Sequence, residues 1–213
     1  MVTEYLSGGT LDDTLKNKSL HTGDLIQSVL RDLLSGLAYL DEKHIMHRDI
    51  KPENVILREE DKRWVIGDFG LAAHSDQEYI YDKCGTMGYI APEIMELNEN
   101  EKYKQACDTY SLGVIAYQLI VGELPFKVEA ENFFDKKIVW VLFDRDECKK
   151  IHPSILGFLK NLLDKNPETR ITPKEALRSP FFTNKEVVGE LLAFHEKKRQ
   201  DRYDRILKMA NQN

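Results

Sequence analysis

The chain has 213 residues, of which 42% are hydrophobic and 31% charged, so it can bury one sizeable core in an ordinary globular domain. Its net charge of -6 argues against nucleic-acid or anionic membrane partners, and no apolar stretch reaches membrane-spanning length. The cysteines, Cys84, Cys107 and Cys148, form no disulfide or zinc pattern, which indicates a reducing compartment. We therefore expect an intracellular, cytoplasmic location.

The chain opens with the run MVTEYL, which predicts a short strand ending in the turn signal Ser7-Gly8-Gly9. Further on, apolar residues recur at helical spacing between Asp24 and Lys43, which predicts an amphipathic helix. These residues are Ile26, Val29, Leu30, Leu33, Leu34, Leu37, Ala38 and Leu40. We expect this helix to belong to the core and to support the loop that follows His44.

That loop, from His47 to Asn54, reads HRDIKPEN and brings a carboxylate, an ammonium and an amide together. Asp49 can accept a proton from an attacking hydroxyl, and Lys51 can neutralise a phosphoryl group as its charge grows. The amide oxygen of Asn54 is a hard donor of the kind that Mg²⁺ prefers when substrate phosphates complete its shell. This combination suits phosphoryl transfer, in which the protein positions the reactants and stabilises charge.

Two β-rich runs, 55–57 and 64–66, flank a polar turn and predict a hairpin. The hairpin would place Asn54 at its entrance and Asp68 just after its exit. We therefore expect these two candidate metal ligands to face the same spot.

The motifs around this loop occur in a specific order. Asp49 and Asn54 have the H-R-D-x-x-x-x-N spacing, Asp68-Phe69-Gly70 follows, and Ala91-Pro92-Glu93 comes later. The chain resembles the eukaryotic protein kinases, and Lys51 resembles the serine/threonine branch. Within the family it is most similar to the calcium/calmodulin-dependent and calcium-dependent groups. The resemblance implies an α+β fold, the mainly helical large lobe of a protein kinase with a short hairpin after its catalytic loop.

The resemblance also implies ATP and Mg²⁺ as cofactors. The first strand, placed before the catalytic loop, would then be the hinge, with Thr3 as gatekeeper; the pattern by itself is that of a generic edge strand. Ile56 would form the floor under adenine, which is compatible with an ordinary core position. The implied nucleotide-binding set is Thr3, Glu4, Leu6, Thr10, Lys51, Glu53, Asn54, Ile56 and Asp68, of which Asn54 and Asp68 would hold the metal.

Residues 71–88 are polar without a sustained period and resemble the activation segment. In such kinases the arginine matching Arg48 usually meets an anion from this segment, and Asp82 stands at the matching position. We expect Asp82 to supply a fixed but partial mimic of a phosphate; a surface aspartate without a partner is the alternative. Residues 85–93 resemble the substrate-docking loop, in which Thr86 would hydrogen-bond towards Asp49 and Lys51.

The run from Lys104 to Val121 predicts a helix that is buried on more than one face. By resemblance, Asp108 near its start accepts hydrogen bonds from the backbone of the His47-Arg48 turn. Capping of the helix is the alternative role, and the two are compatible. Glu93 and Arg170 match the internal ion pair of the family.

Amphipathic patterns predict further helices at 155–163 and 173–177. The resemblance covers residues 1–182, which we expect to form the kinase domain from the hinge onwards. Residues 183–213 are charged with apolar clusters and predict an amphipathic helical tail, either a solvated terminal helix or a regulatory one.

The resemblance implies a kinase that phosphorylates serine and threonine hydroxyls of proteins. No Gly-rich loop or Val-Ala-x-Lys occurs in the chain, so we expect the small β lobe to be missing and the chain to need it for activity. We favour a shortened reading frame with that lobe encoded upstream of Met1. The alternative is a non-catalytic module that docks or sequesters substrates. A regulatory partner would bind the tail or an uncovered hinge face, where Leu6, Leu11 and Ile56 would be exposed.

Overall fold

The computed structural model describes residues 4–17, 23–76, 82–98, 101–126 and 143–210. Its helices are α1 (Leu11–Lys16), α2 (Gly23–Glu42), α3 (Pro92–Met95), α4 (Ala106–Val121), α5 (Pro153–Leu162), α6 (Pro173–Ala176), α7 (Pro180–Thr183) and α8 (Lys185–Ala210). Its strands are β1 (Ile45–Met46), β2 (Val55–Arg58), β3 (Arg63–Ile66) and β4 (Ala73–His74). The expected mainly helical α+β architecture is confirmed, and no strand of a separate β lobe occurs among the described residues.

Helices α2 and α4 form the centre of the core. The apolar stripe of α2 is buried, and the helix contacts α4, α6, α8 and the strands β1 and β3. Nearly all of α4 is buried because its apolar residues cover more than one face. At Gly113 the helix passes so close to α5 and the residue after it that a Cβ would lie 3.0 Å from Leu162 and Leu163.

The strands pair in two antiparallel two-stranded sheets, of which only β2–β3 is a hairpin. Strands β2 and β3 pair from Val55 opposite Ile66 to Arg58 opposite Arg63. Strands β1 and β4 pair with Ile45 opposite His74. Because β1 runs directly into the 47–54 loop, the two small sheets hold the two ends of this loop in place.

A buried carboxylate attaches the β2–β3 hairpin to α2. Asp32 accepts a hydrogen bond from the backbone N–H of Trp64 at 3.0 Å, and its other oxygen lies 2.8 Å from Nε of Arg63. The outer edge of β3 therefore has a polar partner, as a strand edge covered by a helix requires.

The N-terminal half of α8 packs on the body of the protein. Val187 and Leu191 are fully buried, and the helix contacts α2, α5 and α7. Towards its end Tyr203 and Met209 are exposed. The packed core thus includes the beginning of the segment that the sequence predicts as a tail.

The expected apolar hinge face is only partly present. Leu11 is fully buried, because α1 begins there and packs against β2 and the turn at 52–54. The prediction of an exposed Leu11 is therefore wrong. Leu6 and Ile56 are half-buried. Within the described part of the chain, no helix combines the length and apolar character that crossing a membrane requires.

Candidate active site

The carboxylate of Asp49 lies at the centre of a compact polar cluster. Its Oδ1 accepts a hydrogen bond from the hydroxyl of Thr86 at 2.6 Å. Its Oδ2 lies 2.9 Å from Nζ of Lys51 and 3.0 Å from Nδ2 of Asn54. Nζ of Lys51 also donates to the Thr86 hydroxyl at 2.8 Å. Three of the predicted catalytic residues therefore lie within hydrogen-bond distance of the Asp49 carboxylate.

Local sequence explains half of this arrangement. Pro52 begins a single 3₁₀ turn at 52–54, and the N–H of Asn54 closes it on the carbonyl of Lys51. The same turn brings Nδ2 of Asn54 to 2.9 Å from the carbonyl of Asp49. The loop therefore folds back on itself without help from distant residues.

A buried residue of α4 supplies the other half. Asp108 accepts hydrogen bonds from the backbone N–H of His47 at 2.6 Å and of Arg48 at 2.8 Å. Arg48 has a left-handed backbone, with φ of 69°, which these bonds hold in place. Burial raises the pKa of Asp108, although the two N–H donors favour its charged form. No cap function is needed to explain this residue.

Opposing effects set the ionisation of Asp49. Its partial burial alone would raise the pKa of the carboxyl. Hydrogen bonds from Thr86 and Lys51, and the positive charge of Lys51, outweigh this and hold the pKa of Asp49 below its ordinary value. The group is therefore an anion at neutral pH, ready to accept a hydrogen bond from another donor.

The hairpin register places the backbone of Asp68 next to that of Asn54. The N–H of Gly67 donates to the carbonyl of Asn54 at 2.8 Å, and Asp68 follows directly. Because the amide nitrogen of Asn54 is turned to Asp49, its oxygen is available for a metal. Asp68 uses Oδ1 to accept the N–H of Gly70 at 3.1 Å, which leaves Oδ2 for the same purpose.

This donor set fits Mg²⁺. Two hard protein oxygens suit an ion that keeps waters and takes phosphate oxygens for the rest of its octahedron. Among the described residues no group of three His, Cys, Asp or Glu side chains could form a metal cage of its own. A site of Asn54 and Asp68 that shares the ion with a phosphate-bearing substrate stays a prediction.

The nucleotide side of the candidate site is described from Glu4 onwards, and Thr3 lies outside the described residues. The segment runs alongside β2, with the N–H of Gly8 donating to Leu57 and the N–H of Leu57 donating to Gly9. The carboxylate of Glu4 is exposed and lies 4.0 Å from Arg58. Leu6 and Ile56 are half-buried, and their contact with an adenine ring stays a prediction.

Thr10 has a structural role at the start of α1. Its hydroxyl accepts the N–H of Asp13 at 3.1 Å and donates to the Asp13 carboxylate at 2.6 Å, forming a capping box at the start of α1. Glu53 in the 52–54 turn is exposed. Burial, followed by the charges of Glu53 and Asp12, raises the pKa of Tyr89.

Arg48 and Asp82 are linked through Tyr103. Nη1 of Arg48 donates to the Tyr103 hydroxyl at 3.3 Å, and this hydroxyl donates to the main-chain carbonyl of Asp82 at 3.1 Å. Nε of Arg48 donates to the carbonyl of Leu71. The direct pairing of the Asp82 carboxylate with Arg48 stays a prediction.

Glu93 and Arg170 lie together away from the cluster. Nη1 and Nη2 of Arg170 donate to Oε1 and Oε2 of Glu93 at 2.6 and 2.8 Å. The Arg170 side chain is completely buried. The pair fastens the start of α3 to the turn before α6.

Tyr103 and the residues that hold the 85–89 segment in place were not predicted from the sequence. Ser111 donates to the carbonyl of Tyr89 at 2.7 Å, and the Tyr89 hydroxyl donates to Gln118 at 3.0 Å. In the sequence these are polar or aromatic residues in or before a buried helix, a pattern that indicates core. Only the position of Tyr103 shortly before Asp108 could have drawn attention to it.

The chain is similar in sequence to known proteins. Residues 1–182 match the family model described as "Protein kinase domain". The chain is 34% identical to "Calcium/calmodulin-dependent protein kinase type 1" of Caenorhabditis elegans over 86% of this chain and 53% of that protein. It is 34% identical to "Probable serine/threonine-protein kinase fhkC" of Dictyostelium discoideum over 96% of this chain and 33% of that protein. The chain spans about half the length, or less, of the curated relatives it matches.

Proposed function

The chain belongs to the serine/threonine branch of the protein kinase family, and on that premise we propose that, together with a small lobe, it transfers the γ-phosphoryl group of ATP to serine or threonine hydroxyls of proteins. The observation that carries this proposal is the Asp49 cluster, in which an anionic carboxylate, an ammonium and a metal-competent amide meet. Phosphoryl transfer needs this combination because its catalysis is largely positioning and charge stabilisation.

Asp49 would orient the incoming hydroxyl and accept its proton. The hydroxyl oxygen forms a bond to the γ-phosphorus while the bond from that phosphorus to the leaving oxygen of ADP breaks. The proton passes from the hydroxyl to the Asp49 carboxylate. The low pKa of Asp49 keeps the carboxylate charged before the step, and Thr86 and Lys51 hold its orientation.

The other residues would manage the charge on phosphate. Lys51 would contact the γ-phosphate, and Asn54 and Asp68 would hold Mg²⁺ through their remaining oxygens. When bound, Mg²⁺ neutralises negative charge on the phosphate oxygens. Thr86, on the segment anchored by Ser111 and Gln118, would favour a short aliphatic hydroxyl over the longer phenol of tyrosine.

Nucleotide binding by the purified chain tests the first half of this proposal. We expect binding of ATP that depends on Mg²⁺ and weakens in Asn54→Ala and Asp68→Ala, measured by titration calorimetry. Glu60→Gln, an exposed change in the β2–β3 turn, is the matched control and should bind like the wild type. A folded chain that binds no ATP at millimolar concentration would contradict the proposal and favour a non-catalytic docking module.

Phosphate transfer tests the second half. A reconstituted two-lobe protein, in which this chain is supplied with a small lobe, is incubated with labelled ATP, Mg²⁺ and degenerate peptides that carry serine, threonine or tyrosine. We expect label on serine and threonine, and a loss of about 10²–10⁴-fold in Asp49→Asn, the usual range for a positioned proton acceptor. Transfer that is undiminished in Asp49→Asn, or directed to tyrosine, would overturn the proposal.

A further inference from the structure

We propose that Tyr103 is a positioning residue of this active site, whose hydroxyl joins Arg48 of the 47–54 loop to the 82–84 segment that leads into Thr86. The inference rests on the proposed function for its catalytic consequence. Its structural part, that one hydroxyl orders the segment in front of Thr86, can be tested without any transfer reaction.

Tyr103 is placed to act as a junction. It lies just before α4, and only 3% of its surface is exposed. Its hydroxyl accepts a hydrogen bond from Nη1 of Arg48 and donates one to the carbonyl of Asp82. The same oxygen lies 3.6 Å from Sγ of Cys84. One atom thus contacts both the 47–54 loop and the 82–84 segment.

The chemistry of a phenol suits these three contacts. A phenol has one proton to donate, and the Asp82 carbonyl, which can only accept, takes it. The lone pairs of the oxygen then receive the Arg48 guanidinium and the thiol proton of Cys84. Burial raises the pKa of Tyr103, so the hydroxyl keeps its proton throughout the physiological pH range.

Both contacted segments lead directly to Asp49. Arg48 is its chain neighbour, with a backbone N–H already held by Asp108. On the other side, Cys84 is followed by Gly85, where a Cβ would lie 3.0 Å from the carbonyl of Arg48 and where φ is 118°. Thr86 comes next and donates to the Asp49 carboxylate. Loss of the Tyr103 hydroxyl should therefore loosen the approach of Thr86 to Asp49.

The test compares Tyr103→Phe with Tyr110→Phe in the full chain. Both tyrosines are buried, at 3% and 2% exposure, and each substitution removes only an oxygen. Among the described residues, no hydrogen bond is assigned to the hydroxyl of Tyr110, so this variant measures the general effect of losing a buried phenol. Amide hydrogen exchange of residues 82–88, followed by mass spectrometry, is the readout that requires no activity.

We expect exchange in the 82–88 segment to be roughly fivefold faster in Tyr103→Phe, the factor that one ordinary hydrogen bond represents, and unchanged in Tyr110→Phe. Equal exchange in both variants and the wild type would overturn the inference, whether or not the chain transfers phosphate.

Transfer kinetics test the catalytic consequence. We expect Tyr103→Phe to lower kcat severalfold with the KM for ATP unchanged, because Thr86 and Asp49 are affected while the nucleotide contacts are not. Faster exchange with an unchanged kcat would refute a positioning role. A wild-type chain that shows the expected exchange pattern but transfers no phosphate when supplied with a small lobe would instead contradict the proposed function.

Discussion

Arg170 and Glu93 form a two-pronged ion pair in the interior of the lobe, 77 residues apart in the chain. The guanidinium of Arg170 also donates to the carbonyl of Ala106 at 2.7 Å and, through Nε, to that of Asp164 at 2.8 Å. It lies over the ring of Tyr110, 5.1 Å from the ring centre. One side chain therefore ties α3, the start of α4 and the turn before α6 together.

Removal of Arg170 should destabilise the whole chain. In Arg170→Ala the Glu93 carboxylate and three main-chain carbonyls lose a donor inside the protein, and breaking a buried pair from one side typically costs about 3–5 kcal/mol. We expect the midpoint of urea unfolding to fall accordingly, with a melting temperature lower by roughly 6–20 °C for a chain of this size.

An exposed pair provides the control for this prediction. Arg199 and Glu196 on α8 form an ion pair with 68% of each side chain exposed. Because solvent screens such pairs, Arg199→Ala should leave the unfolding midpoint unchanged. A near-normal melting temperature for Arg170→Ala would refute the importance of the buried pair.

Asp41 should make stability depend on pH. Burial, and then the nearby negative charge of Asp108, raise the pKa of Asp41 to about 6, while Lys174 lowers it slightly. In an unfolded chain an aspartate has a pKa of about 3.9. Between these two pKa values the folded protein binds more protons than the unfolded chain. Asp41 therefore lowers the free energy of unfolding as the pH rises from the unfolded-state pKa to the folded-state pKa, and at higher pH this loss does not increase further.

Asp41→Asn should therefore raise the melting temperature at pH 7.5 and raise it less at pH 5. The amide cannot ionise, which removes the cost of a charged carboxylate near Asp108. Thermal melts of both proteins at the two pH values measure the difference, with exposed Glu60→Gln as the control. A gain that is equal at both pH values would show that Asp41 does not titrate in this window.

The first half of α8 should unfold together with the rest of the protein. Leu191 is fully buried, and truncating a buried leucine usually costs about 2–5 kcal/mol. We expect Leu191→Ala to lower the midpoint of a single cooperative transition, monitored by circular dichroism. If residues after 182 formed an independent tail, the main transition would stay where it is in the wild type.

Met209 supplies the comparison on the same helix. Its side chain is 70% exposed, so Met209→Ala removes no buried contact. The transition of this variant should coincide with that of the wild type. An equal shift in both variants would mean that the substitutions act on helix propensity rather than on packing.

Interactions between residues that are close in the sequence determine much of the fold and of the loop at 47–54. The 3.6-residue period of α2, the Pro52 turn and the β2–β3 register each depend on residues a few positions apart. Asp49, Asn54 and Asp68 could therefore be predicted as neighbours, because a short turn and a hairpin leave little freedom in where they lie.

Tertiary structure decided what surrounds this loop. Asp108 reaches His47 across 61 residues, and Thr86 reaches Asp49 across 37. The Tyr103 hydroxyl, the burial of Leu11 and the docking of Leu191 likewise depend on how whole elements pack. A side chain's neighbours across such distances are set by the packing of helices and the rotamers it permits, and no local pattern of residues carries that information.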